Sequence, residues 1–324
     1  MLKYFDMVKD LINYEGNVHE PFMVKSVTKG IASNGNQYFS FTLQDSSGSI
    51  DAKMFSNTES LTTDMFPSGT IIMVTGSVAP FRGHSQIKIT DLDIVDEKQV
   101  DLSKYIPDSP IKKEILIERL NENINEIKDE EIKKLTQSII KDNFDKYTTY
   151  PAAVTIHHAF YSGLLYHSLS ICSMAKKVVE EYPFLSKDYL IAGSLLHDIG
   201  KIVEFSSAIN PSYTVEGNLI GHINIGYSIL QKKGIELKIS EEKLNVLSHI
   251  ILSHHGKPEF GSSKVPQIME AYVIHILDDL DSKMNLLENT LQTTEENNFS
   301  AKILAFDNVS FYKPSKLEKD NSDE

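Results

Sequence analysis

The residues best able to do chemistry are histidines and aspartates set in apolar sequence: His167, His197, Asp198, His222, His254, His255 and Asp278. Leu164-Leu165 precede His167, Leu195-Leu196 precede the His197-Asp198 doublet, and Ile250-Ile251-Leu252 precede the His254-His255 pair. Ile274 to Leu277 lead into Asp278. A lone helical histidine is more often a satisfied core or surface residue, and one His-Asp doublet is a weak signal; the combination is a strong one. Ala192, Leu195, Leu196, Ile199, Ile202 and Val203 leave almost no polar face around the doublet, and a helix of that kind is buried. A charged aspartate there must be paired or bound to a cation, because desolvating it alone is too costly. Imidazole and carboxylate are ligands of manganese, iron, cobalt and zinc. Without thiolates, the set has the character of an open catalytic site rather than a closed structural one.

Cys172 is the single cysteine, so no internal disulfide can form, which fits a reducing cytoplasm. It lies beside Ile171 and Ala175, and a small core residue is the favoured reading over a thiol nucleophile. Met1 to Tyr14 carries Asp6, Lys9 and Asp10 and does not read as a signal peptide. No apolar run is long enough to span a bilayer, so no membrane partner is expected. The net charge of −13 argues against a protein that coats nucleic acid electrostatically. It leaves room for an enzyme that holds a short strand at a metal centre, since the ions bring their own positive charge. Arg82 and Arg119 are the two arginines.

The elements that must position the candidate ligands are helices, and they follow a different kind of sequence. Met1 to Glu20 is a weakly amphipathic lead-in. From Pro21 the apolar pattern has period two: Phe39, Phe41 and Leu43 alternate with Ser40, Thr42 and Gln44, and Ile50, Ala52 and Met54 with Asp51, Lys53 and Phe55. Alternation of this kind predicts half-buried antiparallel strands. Five short strands, with turn residues at Ser33-Asn34-Gly35-Asn36 and Ser46-Ser47-Gly48-Ser49, predict a small closed barrel of the OB type. Within it Phe39 and Phe41 are expected in the core. Lys53, Phe55, Phe81, Arg82 and His84 are the candidates for an exposed strand-binding face, although core placement is the favoured reading of Phe55 and Phe81. The divisions expected are 1–97 for the lead-in and barrel, 98–112 for a linker, 113–314 for a helical domain and 315–324 for a disordered tail. The helical runs are Ile111 to Ile127, Glu130 to Phe144, Phe160 to Tyr182, Lys187 to Phe205, Ile220 to Lys233, Ser240 to Ser253 and Val265 to Leu287; Glu295 to Pro314 is ambiguous. The fold class is therefore α+β and multidomain.

The order His, His-Asp, Gly-His, His-His, Asp resembles that of the HD-domain metal phosphohydrolases, named for the doublet. The resemblance implies one metal held by His167, His197, Asp198 and Asp278, and a second held by Asp198, His222, His254 and His255, with Asp198 bridging. It also implies that Lys201, in Asp198-Ile199-Gly200-Lys201, touches the substrate phosphate. Asp281 is expected to orient a metal-ligating histidine, and Asp279 and His275 to be ordinary polar residues of their helix. Two divalent ions roughly 3.5–4 Å apart hold a hydroxide at neutral pH and clamp phosphoryl oxygens for in-line attack. His157 and His158 either contact substrate phosphate or cap a helix. With the barrel included, the chain is similar to the YhaM-type 3′→5′ exoribonucleases. The resemblance runs from about Val18 to Pro314 and includes Pro151-Ala152-Ala153, Ser162-Gly163-Leu164-Leu165-Tyr166-His167, Leu252-Ser253-His254-His255-Gly256 and Phe311-Tyr312-Lys313-Pro314. It implies a cytoplasmic enzyme that trims single-stranded RNA, and single-stranded DNA as a second candidate. Manganese is the expected ion, with iron, cobalt or zinc as alternatives. An HD hydrolase of a small nucleotide or cyclic dinucleotide, and a non-catalytic nucleic-acid-binding protein with structural metals, are the rival readings. RNA-versus-DNA preference and assembly into a homo-oligomer stay open.

Overall fold

The computed structural model describes residues 8–12, 14–32, 35–55, 61–81, 84–96, 100, 102–106, 109–154, 160–209 and 211–315. Arg82, His157 and His158 lie outside the described residues, as does the expected tail from 316 onward. The chain divides into two compact units, one of Met1–Lys112 with Ser207–Ser212, the other of Lys113–Ser206 and Tyr213–Glu324.

The first unit is a closed five-stranded barrel. Its strands are β1 (Gly16–Ile31), β2 (Gln37–Asp45), β3 (Gly48–Met54), β4 (Ile71–Phe81) and β5 (His84–Ile94), in the order β1-β2-β3-β5-β4. The alternation read from sequence sets the two faces of β2: Phe39, Phe41 and Leu43 are buried while the residues between them are partly exposed. β1 begins at Gly16, ahead of the period-two pattern that opens at Pro21, because Gly16 to Met23 pair with β4 from Val78 down to Ile71. The same strand pairs with β2 from Met23 to Ile31, with a register shift between Val24 and Ser26. Such a bulge bends a strand and helps a small sheet close. The lead-in supplies Val8 and Leu11 to the barrel core from a short 3-10 turn. In the segment read as a linker, Leu102–Tyr105 forms another 3-10 turn; Tyr105 and Ile106 are buried, and Lys104 O accepts from Ser46 N at 2.9 Å.

The second unit is helical: α1 (Lys113–Glu126), α2 (Glu130–Asp142), α3 (Phe144–Thr149), α4 (Gly163–Glu181), α5 (Lys187–Leu196), α6 (Lys201–Glu204), α7 (Val215–Ile220), α8 (His222–Leu237), α9 (Glu241–Ser253) and α10 (Met269–Gln292). The ambiguous C-terminal stretch contains a two-stranded pairing of β6 (Asn298–Phe299) with β7 (Tyr312–Lys313). α2 shows how local chemistry starts a helix. Asp129 caps it by accepting from Glu131 N and Ile132 N, and Ile132, Leu135, Ile139 and Ile140 bury its apolar face. α5 is buried from Leu190 to Leu196, as its all-round apolar sequence requires. The run expected as one helix from Lys187 to Phe205 instead breaks between α5 and α6. Ile199 N bonds Leu196 O and Lys201 N bonds Asp198 O, a three-residue spacing that tightens the chain at the doublet.

Candidate metal centre

Five elements deliver the candidate ligands to one place in the helical unit. α4 carries His167, the turn after α5 carries His197 and Asp198, α8 opens with His222, the end of α9 carries His254 and His255, and α10 carries Asp278. Ser162 fixes the start of α4. It sits in the left-handed region at φ 65° and its Oγ donates to Thr148 O at 2.8 Å.

Gly200 and Gly256 are required by close approach. A Cβ on Gly200 would stand 2.0 Å from the backbone oxygen of His222, so the start of α8 can lie against the doublet turn only there. Gly256 takes φ +78°, and a Cβ on it would meet the His275 ring at 2.3 Å.

Asp198 is 2% exposed and faces two histidine groups, one with each oxygen. Its Oδ2 lies 3.4 Å from His197 Nε2 and 3.7 Å from His167 Nε2. Its Oδ1 lies 3.4 Å from His222 Nε2 and 3.6 Å from His254 Nε2. Asp278 Oδ1 joins the first group, 3.1 Å from His167 Nε2 and 4.0 Å from His197 Nε2. His255 joins the second, where one atom each of His222, His254 and His255 falls within 4.8 Å of the others. His254 and His255 stand edge to face with centroids 4.4 Å apart.

The opposite ring nitrogens decide what the inward ones can do. His197 Nδ1 donates to Ser194 O at 2.9 Å, His254 Nδ1 to Ile251 O at 2.7 Å and His255 Nδ1 to Phe260 O at 2.7 Å. A carbonyl only accepts, so the proton is on Nδ1 and Nε2 of the neutral ring carries a lone pair. His222 Nδ1 meets Glu204 Oε1 at 3.0 Å, and His167 Nδ1 meets Asp281 Oδ2 at 2.7 Å. Among the described residues, Asp198 Oδ1, His222 Nε2 and His254 Nε2 are buried without a hydrogen-bond partner. Three acceptors facing one another away from water are costly unless a cation lies among them. This donor set fits divalent metal, with Asp198 placed to serve both groups.

The protonation balance follows from the same contacts. Burial holds His254 down to about 3, so it stays neutral at physiological pH. Burial also lowers His255. Burial opposes a charge on His167, but the carboxylates of Asp278 and Asp281 outweigh it and raise its pKa to about 9. Burial would raise the carboxyl of Asp198; Lys201 and His197 instead hold it well below the usual range.

Lys201 is buried and its Nζ pairs with Asp198 Oδ2 at 2.6 Å. It lines a cavity of about 340 Å³ together with Glu204, His222, His255, His275 and Asp278.

Two residues of this site escaped sequence reasoning. Glu204 accepts from both the backbone N–H of His222, at 2.9 Å, and its ring. Its signal was a lone acid between Val203 and Phe205, the same argument that singled out Asp198. His275, read as an ordinary polar residue, donates from Nδ1 to the carbonyl of His254 at 2.9 Å and so steadies the pair's main chain. Asp281 contacts His167 and Ser170, and Asp279 instead pairs with Lys283 at 2.8 Å. Cys172 is fully buried; burial pushes its thiol up to about 12, as a core residue.

On the barrel, Phe55 and Phe81 are 46% and 47% exposed, which corrects the core reading favoured for them from sequence. Both rings alternate off the inward-facing positions of their strands. Tyr38 stacks on Phe55 with centroids 5.4 Å apart, and Lys53 Nζ lies 5.1 Å from the Tyr38 ring and 5.7 Å from that of Phe81. His84 is also exposed.

Residues 164–283 match the HD domain. Residues 23–95 match the OB-fold nucleic acid binding domain of the tRNA anticodon type. The first is the domain of a metal-dependent phosphohydrolase family, and its pairing with the second suggests a metal-dependent nucleic-acid hydrolase. Among solved structures, the chain is similar to the second OB-fold domain of replication protein A from Methanococcus maripaludis, at 20% identity over 26% of this chain and 87% of that one, with a TM-score of 0.21. It is also similar to the mitochondrial single-stranded DNA binding protein Rim1 of S. cerevisiae, at 13% identity over 26% of this chain and 96% of that one, with a TM-score of 0.22. No helix among the described residues is long and apolar enough to cross a membrane.

Proposed function

We propose that the protein is a metal-dependent 3′→5′ exoribonuclease that shortens single-stranded RNA, with single-stranded DNA as a secondary substrate. The observation that carries the reading is Asp198, whose two oxygens face two separate sets of histidine Nε2 atoms in a buried cluster. His167, His197, Asp198 and Asp278 would hold one divalent ion, and Asp198, His222, His254 and His255 the other; manganese suits this nitrogen and oxygen set. When bound, such a pair supplies Lewis acidity toward a phosphodiester and an activated water.

The chain's own residues prepare the ground. Carbonyls of Ser194, Ile251 and Phe260 fix three imidazoles with their Nε2 lone pairs inward. Glu204 and Asp281 orient two more, as carboxylates behind metal-ligating histidines do. Lys201, at the cavity wall, offers an ammonium group to a phosphate oxygen, and while protonated it cannot ligate metal. The exposed Phe55 and Phe81, with the half-buried Tyr38 and Lys53 beside them, suit single-strand binding by stacking on bases. A strand-binding face favours an oligonucleotide over a mononucleotide substrate. The 3′→5′ direction rests on the likeness to YhaM-type enzymes.

The test uses one RNA labelled at either end and incubated with protein and manganese. The 5′-labelled strand is expected to give a descending ladder, and the 3′-labelled strand to release a labelled mononucleotide at once. Cuts confined to the interior, or an intact strand beside hydrolysis of a free nucleotide, would overturn the reading.

A further inference from the structure

Three aromatic side chains line the same cavity as the candidate ligands: Phe205, which is buried, and Tyr213 and Phe260, to which ligation gives no role. Tyr213 is 53% exposed and Phe260 is 64% exposed. Both are anchored at the main chain. Phe260 ends the 3-10 turn Pro258–Phe260; its N–H donates to Lys257 O at 3.0 Å and its carbonyl accepts from His255 Nδ1. Tyr213 forms an antiparallel bridge with Phe205, and the two rings meet edge to face with centroids 5.5 Å apart. The next residue, Thr214, donates its N–H to Glu204 O at 2.9 Å. The turns that orient His255 and, through Glu204, His222 thus also present an aromatic ring each to the cavity.

The cavity combines two chemistries. Lys201, the histidines and Asp278 offer cationic and metal-binding groups; Tyr213 and Phe260 offer flat apolar faces. Its volume of about 340 Å³ lies at the small end for ligand pockets, room for one nucleotide rather than a run of them. A phosphate ester joined to a planar ring is the chemistry that uses both kinds of group.

We propose that Tyr213 and Phe260 form a nucleobase subsite, which stacks on the base of the single terminal nucleotide whose phosphate lies beside the metal ligands. This deepens the nuclease reading and rests on it. A base held there cannot be paired, so the subsite also selects single-stranded ends.

Titration calorimetry of the manganese-loaded protein with adenosine 5′-monophosphate and with ribose 5-phosphate, which lacks the base, tests it. The nucleotide is expected to bind about tenfold more tightly, in the range of one stacked base. Phe260→Leu and Tyr213→Leu are each expected to cut that ratio threefold or more while manganese content holds at the parent level, and Phe260→Tyr is expected to keep it. Equal binding of the two ligands by the parent would overturn the proposal. So would leucine variants that lose both ligands in parallel, or that lose their metal. A parent that prefers the nucleotide yet leaves labelled RNA uncut keeps the subsite and removes the exonuclease reading; one that trims RNA without the preference does the reverse.

Discussion

Glu204 and Lys201 line the same cavity, and single substitutions separate the roles proposed for them. Glu204 holds His222 through two hydrogen bonds, and burial, which would raise its carboxyl, is outweighed by His222, which lowers it. Removing such a supporting carboxylate typically costs 10–100-fold in metal affinity. Glu204→Gln is therefore expected to weaken the second ion about tenfold in a metal-competition titration and to leave the first unchanged. Lys201→Ala is expected to retain both ions while kcat falls about a hundredfold, the scale for losing one preorganised charge donor. Loss of metal in the lysine variant would show that its pairing with Asp198 shapes the metal site itself. The clustering of the candidate ligands was legible in sequence because each stands as a polar residue in apolar surroundings that cannot tolerate it unpaired. Glu204 and His275 were not, because what they do depends on which main-chain and ring atoms they meet, and spacing along the chain does not give that.

At the scale of elements, the centre depends on how closely α8 approaches the turn between α5 and α6. Gly200→Ala would place a methyl group 2.0 Å from a backbone oxygen, and neither side can yield without moving His222. Overpacking that forces backbone to move costs about 1–3 kcal/mol, occasionally more. The variant is expected to lower Tm by several degrees in calorimetry and to lose the second ion first. An unchanged Tm with both ions retained would mean that α8 is free to shift. The break in the helix expected from Lys187 to Phe205 has this same origin. The period of the apolar residues continues through the doublet, so sequence offers no stop signal other than Gly200, and the cause is a contact with a helix more than twenty residues away. The barrel strands were more legible, since period two and burial on one face are local properties. The start of β1 was missed because Gly16 to Glu20 are held by pairing with β4.

For the whole molecule, the chain joins a helical unit that carries a candidate metal centre to a barrel with exposed aromatics, at a net charge of −13. Acidic residues outnumber basic ones, 45 to 32, so on the proposed reading stacking supplies much of the strand affinity. The double variant Phe55→Ala/Phe81→Ala is expected to raise KM for a 20-residue RNA about tenfold, in keeping with about 1–3 kcal/mol per stacked base. It is expected to leave hydrolysis of a nitrophenyl phosphodiester unchanged, since remote binding acts on the strand and not on the reacting bond. If both substrates suffered alike, the barrel face would be supporting the fold and not the strand. The expectations for Glu204→Gln, Lys201→Ala and the ion lost by Gly200→Ala presuppose that Asp198 serves two ions. The most direct measurement is the manganese content of the reconstituted full-length protein, set beside that of His222→Ala. The account predicts two equivalents in the parent and about one in the variant; a parent that binds one equivalent or less would contradict it.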